Sequence, residues 1–386
     1  MAMPYTLRFE VAFDTDPGDE PGALDWTDLS TRLRTNPPIQ CATGAGRLAG
    51  GEGGDCQVTL DNADRLIDPT NSSATLNLIP MRHARLTATV DATSYPLFRG
   101  LVDAWPPVWS AADSHVEVKL VDGFAWLGLQ DADLDLPAQE SHERITAILD
   151  MAGWPAALRD ISDGVVGVEA YEQSSANLLR VLEDTADAED GDLYIAPDGK
   201  ITFRSRHARF NGSPAITFGG GNPAGIAQAD PQWDTARLTN IGRIELADGT
   251  VFEAIDTAAG VRYGPRANSI RDLPLRQAEA IALAEWETVR FATQRLWIDG
   301  LDTYGHEAGV LALVLPRRVG DLARVLNTPP AGAPFDEELS IERIGHTIGA
   351  NGWEVSVDLS PYFGAGPWFT WDDPAKGWDS GAVWAP

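Results

Sequence analysis

Cysteine is nearly absent from this chain. Cys41 and Cys56, about fifteen positions apart on either side of a glycine-rich loop, are too few for a disulfide scaffold. The expectation is two free thiols in a reducing cytosol, with a Cys41–Cys56 disulfide as the lesser alternative. Positive charge is also scarce: 29 Lys and Arg stand against 57 Asp and Glu, a net charge of -28. That balance excludes a protein that grips phosphates, because Lys and Arg supply most nucleic-acid affinity. DNA can still be a neighbour, since an acidic surface lets it slide past. No apolar run approaches a membrane span, and the N-terminus runs into a strand with no basic-then-apolar leader, so a soluble, unsecreted chain is expected.

Catalytic patterns are missing as well. The six histidines (His83, His115, His142, His207, His306, His346) are scattered without an HExxH or a close pair, so zinc hydrolysis lacks its ligands. No GxSxG elbow occurs, and Gly219-Gly220-Gly221 is not followed by GK[ST]. Asp131, Asp133 and Asp135 have the spacing of a calcium loop, but the sixth position is not glycine and Pro137 follows. The acidic groups Asp14, Asp16, Asp19 and Asp184, Asp187, Glu189, Asp190, Asp192 read as solvated turns and helix ends. No catalytic residue, cofactor or metal is expected.

What is present is mainly β. Tyr5, Leu7, Phe9, Val11 and Phe13 alternate with polar positions, the period of a half-buried strand. Short strands are expected at Val58–Asp61, Leu86–Val90, Tyr95–Val102 and Val116–Val121, a barrel or sandwich pattern. After Pro137 the period becomes helical. Ser141 is the expected N-cap of a helix ending at Gly153, and a second helix is expected over about Ser175–Ala188 with Leu178, Leu179, Leu182 and Ala186 inward. Pro197-Asp198-Gly199-Lys200 marks a hairpin. Strands are expected to return at Leu238–Leu246 and Thr250–Ile255. A long helix after Pro274 is expected to bury Ala278, Ile281, Ala282, Val289, Ala292 and Leu296, and β structure to resume at Ala308–Leu315, Leu339–Gly345 and Glu354–Leu359.

Two clusters stand out as candidate structural or interface residues. Asp61, Asn62, Asp64 and Arg65 form a turn after a strand. Asp and Asn there are expected to bond local backbone N–H groups and Arg65 to pair with a carboxylate, with an ion or partner site as the alternative. Trp368, Phe369, Trp371, Trp378 and Trp384 lie in a segment without period that cannot form its own core, so their rings are expected to dock on the same domain, on another subunit or on a ligand.

In order along the chain, Trp26-Thr27-Asp28, VTLDNADR, YPLFRGLVDAWP, LYIAPDGKITFRSR, VRYGPR, RVGDLARV and ERIGHTIGANGWEVSVDLSP resemble the minor tail proteins that form the tail-tip, or baseplate, hub of long-tailed bacteriophages. The resemblance covers nearly the whole chain, and VTLDNADR with LFRGLVD is its strongest part. It implies an α+β, predominantly β fold: two related β-barrel hub domains, each with a smaller inserted α+β or helical unit, pseudo-sixfold as a homotrimer. The boundaries expected by position are 1–135 for the first barrel, 136–204 for an α+β insert and 205–235 for a return segment of the first barrel. The second barrel takes 236–265 and 308–363 around a helical insert at 266–307, and 364–386 is a Trp-rich docking tail. The implied partners are further copies of itself, a distal tail protein, the tape-measure protein, downstream tail-tip or receptor-binding proteins, and DNA in transit through the channel. The implied location is the virion tail tip, with host cytoplasm during assembly. The implied role is a structural, non-enzymatic adaptor; the rivals are a receptor- or glycan-binding tail module and a cell-wall glycosidase using two carboxylates.

Overall fold

The structure, a computed structural model, describes residues 3–44, 53–110, 113–206, 213–233, 235–327, 334–362, 368–369 and 383–384. It is mostly β, with 45% strand against 20% helix. Tyr5–Ala12 pairs along its full length with His83–Val90, so its alternation is used as expected and Phe9 and Val11 face the core. Glu10 is buried too, because Arg85 and Arg8 reach its carboxylate at 2.7 and 2.8 Å.

Among the described residues the largest sheet has 15 strands. Its main path runs Gln228–Gln232, Trp297–Tyr304, Gly352–Pro361, Phe335–Gly349, Ile39–Thr43, Asp55–Asp61, Ser114–Val121, Thr93–Ala104, His83–Val90, Tyr5–Ala12 and Thr27–Asp28. That path is open, and no closed barrel is found among the described residues. The two halves join where Phe335–Gly349 pairs with Ile39–Thr43. One core extends from Phe9 to Leu359 through both halves, with Tyr5 edge-on to Trp353 at 4.8 Å. A shared core explains the continuity: strands of both halves bury their apolar faces against each other.

Several expectations change. Cys41 and Cys56 sit directly opposite each other in an antiparallel pair, with Cα atoms 4.1 Å apart, and are joined as a disulfide in place of two free thiols. Ile216–Gly219 and Gln228–Gln232, expected to return to the first barrel, pair with Leu322–Asn327 and Trp297–Tyr304 of the second half. Ile241–Leu246 and Val251–Ile255 do not enter the large sheet. They form a separate three-stranded sheet with Ala267–Leu273. Ala308–Val314, expected as a strand, is a helix that buries Val310, Leu311 and Val314.

Six α-helices are found among the described residues: α1 Gly123–Leu127, α2 Ser141–Met151, α3 Leu178–Glu189, α4 Thr257–Tyr263, α5 Gln277–Phe291 and α6 Ala308–Val314. The cap of α2 is Glu140, which forms a capping box with Glu143. Ser141 is instead its first residue and donates to the buried Glu189 at 2.8 Å. α3 begins at the Asn177 cap, later than expected, since Ser175 belongs to the strand Tyr171–Asn177. α2, α3 and the strands Arg159–Ile161, Asp192–Ile195 and Ile201–Arg204 enclose a core of their own, including Ile145, Leu149, Leu182 and Phe203.

α5 packs on the separate sheet with a face nearly opposite to the expected one, although Ala292 at its end is buried as expected and Leu296 is partly buried against the main core. Ala280, Leu283, Ala284, Glu287, Thr288 and Phe291 are buried, whereas Ile281 and Val289 are 40% and 50% exposed. The buried stripe follows helical spacing but includes polar residues that find partners: Thr288 Oγ1 accepts from Gly242 N–H at 3.1 Å, and Glu287 accepts from Asn268 at 3.1 Å. An apolar count alone passes over such a face.

Candidate functional site

The turn after Asp55–Asp61 folds onto itself. Asn62, fully buried, uses its side-chain amide as a strand would: Oδ1 accepts from Ile67 N–H at 2.8 Å and Nδ2 donates to Ile67 O at 3.0 Å. Arg65 adopts a left-handed φ of 56° and donates to Asp68 at 2.8 Å. Asp61 and Asp64 accept from the backbone N–H groups of Ala63 and Leu66. Arg32 forks onto Asp64 at 2.9 and 2.6 Å, and that hydrogen bonding holds the Asp64 carboxyl at about 2. Arg34 bridges Asp61 and Asp113. The four candidate residues are thus brought together, each serving local backbone or a neighbouring ion pair. Their arrangement makes a stiff rim at a strand end.

A second convergence brings together residues that the sequence offers only as separate motifs or as a hairpin turn. The Trp26 ring lies under the guanidinium groups of Arg85 at 4.2 Å and Arg99 at 5.7 Å. The hairpin turn rests on Arg99: a Cβ at Gly199 would lie 2.8 Å from the Arg99 Cδ, and Gly199 has φ 85°, so the turn needs glycine. Tyr194 donates through its hydroxyl to Val319 O at 3.2 Å, and burial pushes its phenol up to about 12. Beside it is a cleft of about 270 Å³ walled by Asp160, Asp192, Tyr194, Lys200, Arg204 and Arg318. Acids and bases nearly balance there, and Arg204 pairs with Asp160 at 2.5 Å. Residues separated by more than a hundred positions meet at this joint, and no local pattern marks them.

The acidic run at the end of α3 is not solvated as expected: Glu189, Asp190 and Asp192 are buried. Glu189 accepts from Ser141 Oγ and from the N–H groups of Val165 and Val166, yet burial keeps its pKa raised. Asp190 accepts from Trp286 Nε1 at 2.6 Å and pairs with Arg290 at 2.5 Å, clamping α3 to α5. Asp131 and Asp133 tie their strand to its neighbour by accepting from Asn177 and from Ser175 N–H. A second cleft, of about 350 Å³, lies between α5 and Trp297–Tyr304, with Leu238, Phe291 and Trp297 on its walls.

In the Trp-rich segment the backbones of Trp368–Phe369 and Val383–Trp384 pair in parallel, which aligns Phe369 with Trp384. Trp371 and Trp378 lie outside the described residues.

No protein-family model matches the chain. No curated protein matches it either. Solved structures do. A 43 kDa tail protein of prophage MuSo2 from Shewanella oneidensis is similar over 92% of this chain and 97% of its own, with 13% identity and a TM-score of 0.58. A tail protein from Neisseria meningitidis MC58 is similar over 92% and 96%, with 9% identity and a TM-score of 0.63. The c3393 protein of E. coli, a type VI secretion component described as similar to the T4 tail proteins gp27 and gp5, matches over 86% and 74%, with 10% identity and a TM-score of 0.54. At these identities the likeness is one of fold: over 92% of its length this chain has the fold of phage tail proteins.

Proposed function

We propose that this protein is a structural hub of a phage tail tip, a homotrimeric adaptor between the sixfold tail tube or distal tail ring and a threefold tip. The observation that carries this reading is the near end-to-end likeness to phage tail proteins, 92% of this chain against 97% and 96% of theirs. In the proposed ring the large sheet forms the body, and the units built around α2–α3 and α5 lie at the periphery. The distal tail protein sits on one side and downstream tail-tip or receptor-binding proteins on the other. A central channel holds the end of the tape-measure protein and later passes DNA, whose backbone the net charge of -28 keeps from adhering. The work is geometric, with matched surfaces converting one symmetry to another.

Mass photometry of the purified chain at micromolar concentration is expected to give three copies, and an image of the intact tail tip three copies per tail. A monomer in solution together with absence from purified virions would refute the proposal. Deleting 364–386 is expected to impair tail assembly; intact tails that no longer adsorb would favour a receptor-binding module instead.

A further inference from the structure

The seam between the two halves holds an ionisable group that its surroundings accept in one charge state only. His346 lies within the Phe335–Gly349 strand, opposite Cys41 on one side and Val355 on the other, and is 5% exposed. Its neighbours are apolar: Ile344, Ile348, Ile39, Val355 and Trp353 all belong to the main core. The indole of Trp353 donates through Nε1 to His346 Nδ1 at 3.3 Å. An indole N–H can only donate, so Nδ1 is the bare acceptor nitrogen and the ring is neutral, with its proton on Nε2.

A proton on Nδ1 would set two donors face to face and leave a charge inside the core. Among the described residues nothing beside the ring offsets that charge. On Ile39–Thr43 the neighbours are Cys41, joined to Cys56, and Thr43; on Gly352–Pro361 they are Trp353, Val355 and Val357. Behind Trp353 stands Tyr5, whose phenol burial pushes up, while His306 is exposed and stacks on Tyr304. Glu342 on the same strand is four residues away, roughly 13 Å, and accepts from Ser360 at 2.6 Å. Burial alone pushes the His346 imidazole down to about 4. A base held neutral by the fold adds its full stability above the ordinary value of 6.5, and that contribution is lost as the pH falls toward about 4.

The seam is also the weaker side of the strand it joins. Ile39–Thr43 is tied covalently to Asp55–Asp61 through Cys41 and Cys56, whereas it meets Phe335–Gly349 through five residue pairs and no crosslink. Phe335–Gly349 in turn pairs with Gly352–Pro361 along ten.

We propose that His346 is an acid release for this seam: a proton taken from solvent at Nδ1 frees Phe335–Gly349 from Ile39–Thr43, while the disulfide keeps Ile39–Thr43 on the first half. The device works within one copy and does not depend on how copies assemble. Its test is hydrogen exchange, corrected for intrinsic rates, on the full-length oxidised chain between pH 6.5 and 4.5. Protection across 39–43 and 344–348 is expected to fall about tenfold per pH unit, roughly a hundredfold in all, the linkage of one proton. Ser114–Val121 is expected to keep its protection. His346→Asn places an acceptor oxygen near the position of Nδ1 and cannot take up a proton, so its seam is expected to show no such fall. His346→Gln serves the same purpose if the Asn variant does not fold. A wild-type seam that stays protected, an equal fall in every strand, or the same fall in the variants would each overturn the proposal.

Discussion

The unit around α2 and α3 and the unit around α5 are both small sheets with helices on one face, yet they are finished differently. In the first, the sheet carries Phe203, Ile201 and Ile195 toward the helices, while Tyr194 and Ala196 pack on Val319 of the large-sheet half. Both faces are covered. In the second, Ile244, Phe252 and Ala254 face α5, but Val251 and Ile255 on the edge strand are 53% and 56% exposed. Ion pairs Arg243–Glu253 at 2.6 Å and Arg271–Glu245 at 3.6 Å accompany them on that open face. The first unit is therefore anchored by burial to the body of the molecule. The second is tied to the first by Asp190 with Trp286 and Arg290, and among the described residues its edge strand Val251–Ile255 has no partner on the outer side.

The contrast can be tested most severely at the clamp. Arg290→Ala removes the Arg290 guanidinium from the buried Asp190 carboxylate, and a loss of about 3–5 kcal/mol is expected in denaturant unfolding. Hydrogen exchange should quicken in both α3 and α5; quickening in α5 alone would mean that the two units do not depend on each other. Gly242→Ala comes next. A Cβ there would lie 2.4 Å from the Ala284 carbonyl of α5, so about 1–3 kcal/mol should be lost, with exchange rising mainly in the second unit.

A smaller effect is expected from pH at the same junction. Burial pushes Asp184 on α3 up to about 6, with Asp187 and Asp272 adding to the rise against Arg180. A carboxyl raised in the folded state favours the protonated fold. Its contribution is fully present below the ordinary value of 3.8 and is lost as the pH climbs through about 6. Asp184→Asn should flatten that part of a stability–pH curve, and an unchanged slope would remove Asp184 from the account. The smallest effect is expected on the open face. Ile255→Thr should alter the stability of the isolated chain by no more than about 0.5 kcal/mol, and a larger loss in monomer unfolding would show that the face is already covered.

The strands were legible where one face meets the core and the other meets water. Tyr5–Ala12 and the ranges around Leu86–Val90 and Val116–Val121 carry that period, and the structure uses them accordingly. The helix Ala308–Val314 was not legible, because a short continuous apolar run such as AGVLALV carries no period that separates a buried helix from a buried strand. The face of α5 was missed for the opposite reason: Glu287, Thr288 and Arg290 go inward with partners, and Ile281 and Val289 remain outside. Of the candidate residues, Asp61 to Arg65 could be read as a backbone-serving turn, since Asp and Asn form such bonds locally. The joint of Arg99, Gly199, Tyr194 and Val319 could not, because its members are neighbours only in space.

The sequence by itself determined the predominance of β structure, the strongly negative net charge and the tight turns at Asn62 and Gly199. Each of these follows from side-chain chemistry acting within a few residues, or from charge summed over the chain. Only the tertiary structure decided that both halves share one open sheet, that Cys41 meets Cys56, that Ile241–Leu246 leaves the large sheet for α5, and that Glu189 and Asp190 are buried. Those outcomes depend on which distant partner supplies a hydrogen bond or an apolar face, and that choice is made by packing the whole chain at once.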